Sequence, residues 1–436
     1  MKSDRSVPVV IVGAGFSGTM VAAHLARRGI RSLLIEPRDV AGQGTAFSTA
    51  DPAHLLNVPA GKMSPWPDAP DDFADIAGEG DAFAPRRDYG GYLRAILDDA
   101  VSDGATVVRD RALSASKADG GWTVELESGE RIGADALVIA IGNQPPDAPA
   151  YAATAGERLI GNPWDEQGRA AIADAAANDL DVMIIGTGLT MVDIVLSLDS
   201  AGHGGRILAL SRRGLAPRSH AASDLAPVEL DDVPAGDALA LLRWLRDRSG
   251  AVGWRAAVDS LRPHTKVLWQ GLGVEQQRLF LRHARPWWDV HRHRIAPQVA
   301  QQVADRVAAG TLEIAGGRIL GMDPIGDGID VRFRRRGDEA VERRHFGYVF
   351  NCTGPLHDIG RTRDPLLRQM LDDGLVRPDQ LGIGLAVGDR SQALGADRLW
   401  ALGALTKGRY WEIIAVPDIR GQAADVAADI ATELAQ

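Results

Sequence analysis

The chain has 436 residues, 45% hydrophobic and 24% charged, with a net charge of −10 and one cysteine, Cys352. That length gives room for roughly two to three domains. The acidic balance argues against nucleic acid or an anionic membrane as the main partner, and a lone cysteine excludes both an intrachain disulfide and a dithiol redox pair.

Residues 1–6 are charged and do not read as a secretion signal. No apolar run reaches the roughly 18 residues that span a bilayer. The longest, 182–198, is broken by Gly186, Gly188 and Asp193. A cytoplasmic location is the expectation.

The first element is the β-branched run Val9-Val10-Ile11-Val12, which leads into Gly13-Ala14-Gly15-Phe16-Ser17-Gly18. A helix is expected over 19–28, then a second buried strand over 32–35 that ends in Glu36. This is strand, G-x-G-x-x-G turn, helix, strand and acid in the order of a dinucleotide-binding βαβ unit. Gly13 permits the tight turn, Gly15 the approach of a pyrophosphate, and Gly18 close helix–strand packing. The helix N-terminus favours the pyrophosphate anion, and Glu36 can accept hydrogen bonds from a ribose diol.

The segment 37–88 lacks a regular pattern, and so long a loop in a compact domain is usually functional or a lid. A helix follows at 89–100 and a short strand at 106–109. A hairpin is expected from 122–126 and 131–132 around Ser128-Gly129, then a buried strand over 136–142 ending in Gly142. A proline-rich stretch, 143–149, reads as a domain exit.

A second strand, turn and helix begins at Asp181 and carries Gly186-Thr187-Gly188-Leu189-Thr190-Met191. Met191 replaces the third glycine, which should loosen helix–strand packing without abolishing binding. The next strand, 206–210, ends in Ser211-Arg212-Arg213, where an NAD site would carry an acid. Two arginines and a serine there suit the 2′-phosphate of NADP.

From 222 to about 309 the chain reads as a mainly helical insertion, clearest at 238–248 and 298–309. Its section 278–294 is basic and aromatic, with His283, Trp287, Trp288, His291 and His293. It is either a helix with aromatics packed inward or a wall of a substrate or nicotinamide pocket. The i, i+2 spacing of His291 and His293 is poor for a metal, and no metal is expected. Strands are then expected at 329–334, at 348–352 before Thr353-Gly354, and at 398–402 before Gly403. A last helix is expected over 413–434.

This set of two glycine turns and three glycine-ended strands resembles the flavoproteins with two dinucleotide-binding domains. Among them it is similar to the bacterial FAD/NAD(P)-binding proteins related to flavin monooxygenases and pyridine-nucleotide flavoprotein reductases. The matching stretches are 12–19, 54–63 and 186–193 with 211–214. The resemblance implies an α/β fold of two Rossmann-like domains, with a discontinuous FAD domain (1–155 and 346–436) and an inserted NADP domain (156–345, including the helical insertion).

It also implies an FAD site formed by Gly13, Gly15, Phe16, Ser17, Gly18, Glu36, Pro37, Thr45, Asn57, Val58, Met63, Gly142, Gly354, Gly403, Glu412 and Ile413. The NADPH site would use Gly186, Thr187, Gly188, Leu189, Thr190, Ser211, Arg212 and Arg213. The last helix would aim its start, near 412–414, at the flavin pyrimidine. Asn57, Lys62, Trp66 and Lys407 become candidates near the flavin, with no obligatory acid or base among them. The family's F-x-G-x-x-x-H-x-x-x-W stretch has no full counterpart, because 159–164 lacks the histidine. Three activities stay open: an NADPH-dependent monooxygenase acting on a small molecule with O2, an FAD-dependent reductase or dehydrogenase with an organic acceptor, and a flavin-binding redox sensor or partner protein.

Overall fold

The structure is a computed structural model, and it describes residues 5–118, 120–223 and 226–436. The first domain begins with β1 (Arg5–Val12), α1 (Phe16–Ala26) and β2 (Ser32–Ile35). The segment that follows holds the short helices α2 (Gly44–Phe47) and α3 (Asp72–Ala77) and leads to α4 (Arg86–Ser102). Strands β3 (Thr106–Val108), β4 (Ala112–Ala118), β5 (Gly121–Leu126) and β6 (Arg131–Ile139) complete its N-terminal part. The hairpin expected at 122–132 is there, but its second arm runs unbroken into the buried strand. Strand β4, which the sequence reading passed over, pairs with β5.

The second domain comprises β7 (Leu159–Ile160), α5 (Glu166–Ala177), β8 (Val182–Ile185), α6 (Leu189–Ser200) and β9 (Ile207–Ser211). The insertion follows as α7 (Ala238–Val252), α8 (Trp254–Ser260), α9 (Thr265–Gly271), α10 (Val274–Leu279), α11 (Arg285–Arg292) and α12 (Pro297–Ala308). An antiparallel meander, β10 (Leu312–Ile325), β11 (Gly328–Arg335) and β12 (Val341–Phe346), precedes β13 (Tyr348–Asn351). The chain then returns to the first domain with α13 (Pro365–Asp372), β14 (Leu399–Ala401), α14 (Lys407–Tyr410) and α15 (Val416–Leu434).

The first sheet has the order β3-β2-β1-β6-β5-β4, with β14 on the C-terminal half of β6. Its pairs β1–β2, β1–β6, β2–β3 and β6–β14 are parallel, and the β4–β5–β6 edge is antiparallel. The second sheet runs β12-β11-β10-β9-β8-β13-β7 and is parallel from β10 to β7. Strands β1, β2 and β8 read as near-continuous apolar runs because helices cover both faces of a parallel sheet. The fold is thus α/β with two Rossmann-type sheets, the second inserted into the first.

One expected boundary moves. Strand β13 pairs with β8 and β7, so the C-terminal part of the first domain begins after Cys352 rather than at 346. The last helix also starts later than expected, at Val416 with Pro417 in its first turn, where a missing N–H does no harm. Among the described residues no helix is long and apolar enough to cross a membrane.

Candidate active site

The β1–α1 turn is built as its glycines require. Gly13 has φ +101°, and a Cβ there would lie 2.5 Å from the carbonyl oxygen of Ala140 on the neighbouring β6 side. A Cβ on Gly18 would lie 1.9 Å from the Gly13 oxygen, so α1 presses directly on the turn. Helix α1 has Gly15 as its N-cap and no side-chain cap. Its first N–H groups, from Phe16, Ser17 and Gly18, are therefore left to an anion.

Glu36 closes the turn from β2. It is 2% exposed, and its Oε2 accepts from the Ala14 amide at 3.0 Å. Arg38 also donates to this carboxylate, at 2.8 Å from Nε. Arg38 donates twice more, from its amide at 3.2 Å and Nη2 at 2.9 Å, so the roughly four acceptor positions of the carboxylate are filled, and a ribose would have to displace the exposed Arg38 side chain. Thr45 is exposed and accepts from Arg38 at 3.3 Å, and Pro37 lies exposed between them.

The ends of β6 and β14 meet this turn, at Ala140 and Gly403, whereas β13 ends against Gly186 of the second turn. Gly142 follows β6, Gly354 follows β13 and Gly403 follows β14, and a Cβ on Gly403 would lie 3.1 Å from Ser17 Oγ. Gly142 and Gly354 flank the two crossings between domains. These crossings are tied together by Leu356 N–H to the Gln144 carbonyl at 3.2 Å and by the Asn351 side chain to the Asp147 carbonyl at 3.2 Å.

The second turn repeats the first. Gly186 has φ +114°, and a Cβ there would lie 2.2 Å from the Cys352 carbonyl oxygen. Gly188 caps α6 without a side-chain bond, which leaves the amides of Leu189, Thr190 and Met191 at its start. Met191 is fully buried. Helix α6 therefore stands far enough from its sheet to hold a methionine where α1 holds a glycine. Both sites fit a dinucleotide: a close-approach glycine turn, an uncapped helix start, and at the next strand's end an acid in one and arginines in the other.

Several expected site residues have other work. Thr187 is turned inward: its Oγ1 lies 2.8 Å from Ser211 Oγ and it donates to the Leu215 carbonyl at 2.5 Å. Ser211 Oγ also accepts from the Gly214 amide at 3.0 Å. The serine thus shapes the turn, and exposed Arg212 with half-buried Arg213 remains for a 2′-phosphate. Met63 is 3% exposed within the first core, and its carbonyl accepts from Tyr89. Trp66 is buried beneath Arg27, whose guanidinium sits 3.4 Å from the ring centroid, with His24 against its edge. The half-buried backbone of Asn57 and Val58 is held by His220, whose Nε2 lies 3.0 Å from the Asn57 carbonyl oxygen.

Glu412 is the largest departure. It lies in the loop before α15, as expected, but the insertion claims its carboxylate. Trp288 donates to Oε1 at 2.6 Å, His293 Nε2 is 3.1 Å from Oε2, and Arg292 is 3.6 Å away. Burial alone would push this acid up, but His293, Arg292 and Trp288 overcome it and hold it at about 2. Ile413 is 6% exposed beside it, in the first core. His291 is within 2.7 Å of the Trp287 carbonyl oxygen and rests on Trp254. The basic and aromatic section thus packs inward and also forms a wall over the 405–412 loop.

Trp411 sits at the centre of that wall. It stacks on Trp269 at 4.8 Å, and the Arg285 guanidinium lies 5.9 Å from its ring. Its backbone is left-handed, φ +57° and ψ −71°, and its indole N–H is buried without a hydrogen-bond partner among the described residues.

The wall frames a cationic group that the sequence reading found only in part. Lys407 opens α14 and retains solvent contact although protein surrounds it. Burial, then Arg285, pulls its ammonium down to about 8, while Asp289 and Glu412 act the other way. His357, just beyond Gly354, is pulled down to about 4 by burial, then by Arg285, Lys407 and Arg212. It is neutral at pH 7 among three cations. His357 and Arg285 were missed because nothing local marks them; only the fold brings them to Lys407 and Arg212.

The domains are also pinned together. Arg86 at the start of α4 donates twice to Asp193 of α6, at 3.0 and 2.8 Å, and both side chains are largely buried. His54 Nε2 adds contacts to the Asp193 carbonyl at 3.1 Å and Ser197 Oγ at 3.0 Å. The irregular segment 37–88 thus binds the first domain to the helix of the second turn.

Residues 10–144 match a family model described as FAD-NAD(P)-binding. No curated protein matches the chain. Solved structures share its whole fold. An ornithine N-hydroxylase from Kutzneria sp. 744 has TM-score 0.65 and 16% identity, covering 98% of this chain and 99% of its own. A flavin-containing monooxygenase from Stenotrophomonas maltophilia has TM-score 0.57 and 17% identity over 98% and 99%. A bacillithiol disulfide reductase from Bacillus cereus has TM-score 0.60 and 17% identity over 98% and 100%. The N-terminal part of the first domain is therefore an FAD/NAD(P)-binding unit, within a fold that monooxygenases and reductases share.

Proposed function

We propose that this chain is an FAD-dependent oxidoreductase in which NADPH reduces the flavin, and that it is a monooxygenase acting on a small molecule with O2. The observation that carries the reading is the convergence on His357. Arg212 comes from the second turn, and Lys407 comes from the loop after Gly403, which itself packs on Ser17 of the first turn. A dinucleotide on each turn would thus meet its neighbour at one cationic group.

When bound, a flavin supplies hydride acceptance and reaction with O2. This chain's own residues bind and orient. The uncapped starts of α1 and α6 would hold the pyrophosphates, Glu36 a ribose in place of the Arg38 side chain, and Arg212 with Arg213 the 2′-phosphate. Lys407 would place positive charge where a reduced flavin gains negative charge.

The cysteine content supports oxygenation over disulfide reduction. Cys352 is buried, and burial drives its thiol far above the ordinary range, so no thiolate is at hand.

The test is an anaerobic titration of the purified yellow protein with NADPH, followed by admission of O2. Stoichiometric bleaching, then a transient absorbance between the reduced and oxidised spectra under stopped flow, is expected. Bleaching with no transient at any pH or with any substrate would move the assignment to a reductase with an organic acceptor. No bleaching at all would remove the enzyme reading and leave a flavin-binding sensor or partner protein.

A further inference from the structure

A pocket opens where three distant parts of the chain meet: the 61–70 stretch, the junction of α8 and α9 in the insertion, and the first turns of α15. Its charged lining is Lys62, Arg262, Arg420 and Asp418. Lys62 is exposed and has no ion pair among the described residues. Arg420 is aimed by a hydrogen bond from Nη1 to the Ser64 carbonyl at 3.1 Å.

Arg262 is the telling group. It is half-buried, and no carboxylate lies within ion-pair distance of it among the described residues. Burial, then Arg292, weakens its hold on its proton, while Asp418, Asp259 and Glu412 act against them from farther off. A guanidinium withdrawn from water without a paired acid is costly, and its planar fork matches a carboxylate or phosphate. The start of α15 points the same way, with Ala415 as an N-cap that offers no side-chain bond. Asp418 opposes an anion, but burial raises its carboxyl before Arg262 and Arg292 lower it, and three cations face it.

We infer that this pocket holds the anionic head group, carboxylate or phosphate, of the small molecule on which the enzyme acts. The assignment of that molecule as substrate rests on the oxidoreductase reading; the anion site does not. Helix α15 joins the two regions, since its Gln422 accepts from the Gly403 amide at 2.8 Å beside the first turn.

The experiment is calorimetric titration of the flavin-loaded protein with inorganic phosphate and, separately, with succinate, each against chloride at equal ionic strength. Saturable binding of at least one probe is expected, weakened tenfold or more in Arg262→Gln and partly retained in Arg262→Lys. Phosphate alone assigns a phosphorylated substrate, and succinate alone assigns a carboxylate. Lys62→Gln changes an exposed side chain and serves where Arg262→Gln does not fold; it should weaken the same probe. No saturable binding, equal binding of chloride, or binding indifferent to both variants overturns the site. NADPH bleaching is read on the same samples. Its failure with anion binding intact removes the oxidoreductase reading and leaves the anion site standing.

Discussion

Gly18, the third glycine of the first turn, and Gly188, the second glycine of the other, have opposite structural freedom. A Cβ on Gly18 would lie 1.9 Å from the Gly13 oxygen, whereas one on Gly188 meets nothing within 4 Å. Gly18→Ala should therefore destabilise the fold by roughly 1–3 kcal/mol or more and release FAD. Gly188→Ala should leave stability within about 0.5 kcal/mol and raise the KM for NADPH about tenfold, near 1.4 kcal/mol. Thermal melts and steady-state kinetics on both variants check this; a Gly188→Ala protein with unaltered NADPH kinetics would sink the second site. Arg212→Ala should raise the KM for NADPH by roughly 10-fold to 100-fold, the range for a lost charged hydrogen bond, and spare NADH. An equal loss with both cofactors would remove the 2′-phosphate role. Lys407 gives a pH signature. Its folded pKa of about 8 lies below the ordinary 10.5, so its charge is present below pH 8 and fades as pH rises through that value. Whatever it contributes to holding a dinucleotide anion should decline above pH 8, and Lys407→Met should lack that limb of the KM–pH profile. The same shift means that folding is opposed by the charged form, so Lys407's cost to stability eases between about pH 8 and 10.5.

At the scale of elements, the buried Arg86–Asp193 pair is what fixes α4 against α6. Asp193→Leu leaves the guanidinium unpaired and should cost about 3–5 kcal/mol, while Arg86→Met with Asp193→Leu should recover most of it. Denaturant midpoints of the wild type, two single variants and the double variant test this; additive losses would show that the pair does not act as a unit. The elements also show what a sequence can and cannot carry. The two glycine turns were legible because each strand–turn–helix pattern is local, spanning about thirty residues, although the backbones that Gly13 and Gly186 approach, at Ala140 and Cys352, are distant in sequence. Strand β4 was not, since Ala112-Leu113-Ser114-Ala115-Ser116-Lys117-Ala118 has weak strand preference and takes its shape from β5. The start of β6 was split off for a like reason, because Gly133, Ala134 and Asp135 interrupt the apolar pattern. The partners of Glu412 were not legible, because Trp288, Arg292 and His293 lie more than a hundred residues away.

On the scale of the whole molecule, the insertion is the part whose role only the fold reveals. Its composition said helix and aromatics, but its contacts say that α9 and α11 cover the 405–412 loop: Trp269 donates to the Gly408 carbonyl at 2.9 Å, and Trp288 reaches Glu412. The left-handed backbone of Trp411 follows from that cover. A bulky residue in a sparsely populated conformation costs of order 1–3 kcal/mol and persists only where its surroundings over-determine it. Here the surroundings are borrowed, since Trp269, Phe280 and Arg285 all belong to the insertion. Deleting 238–292 should therefore leave two intact nucleotide folds, since α12 stays to complete the second core, but let residues 407–412 unwind, carrying Lys407 away from His357. The insertion is a splint: the chain inherited a place for two cofactors, and this added limb sets the bone between them.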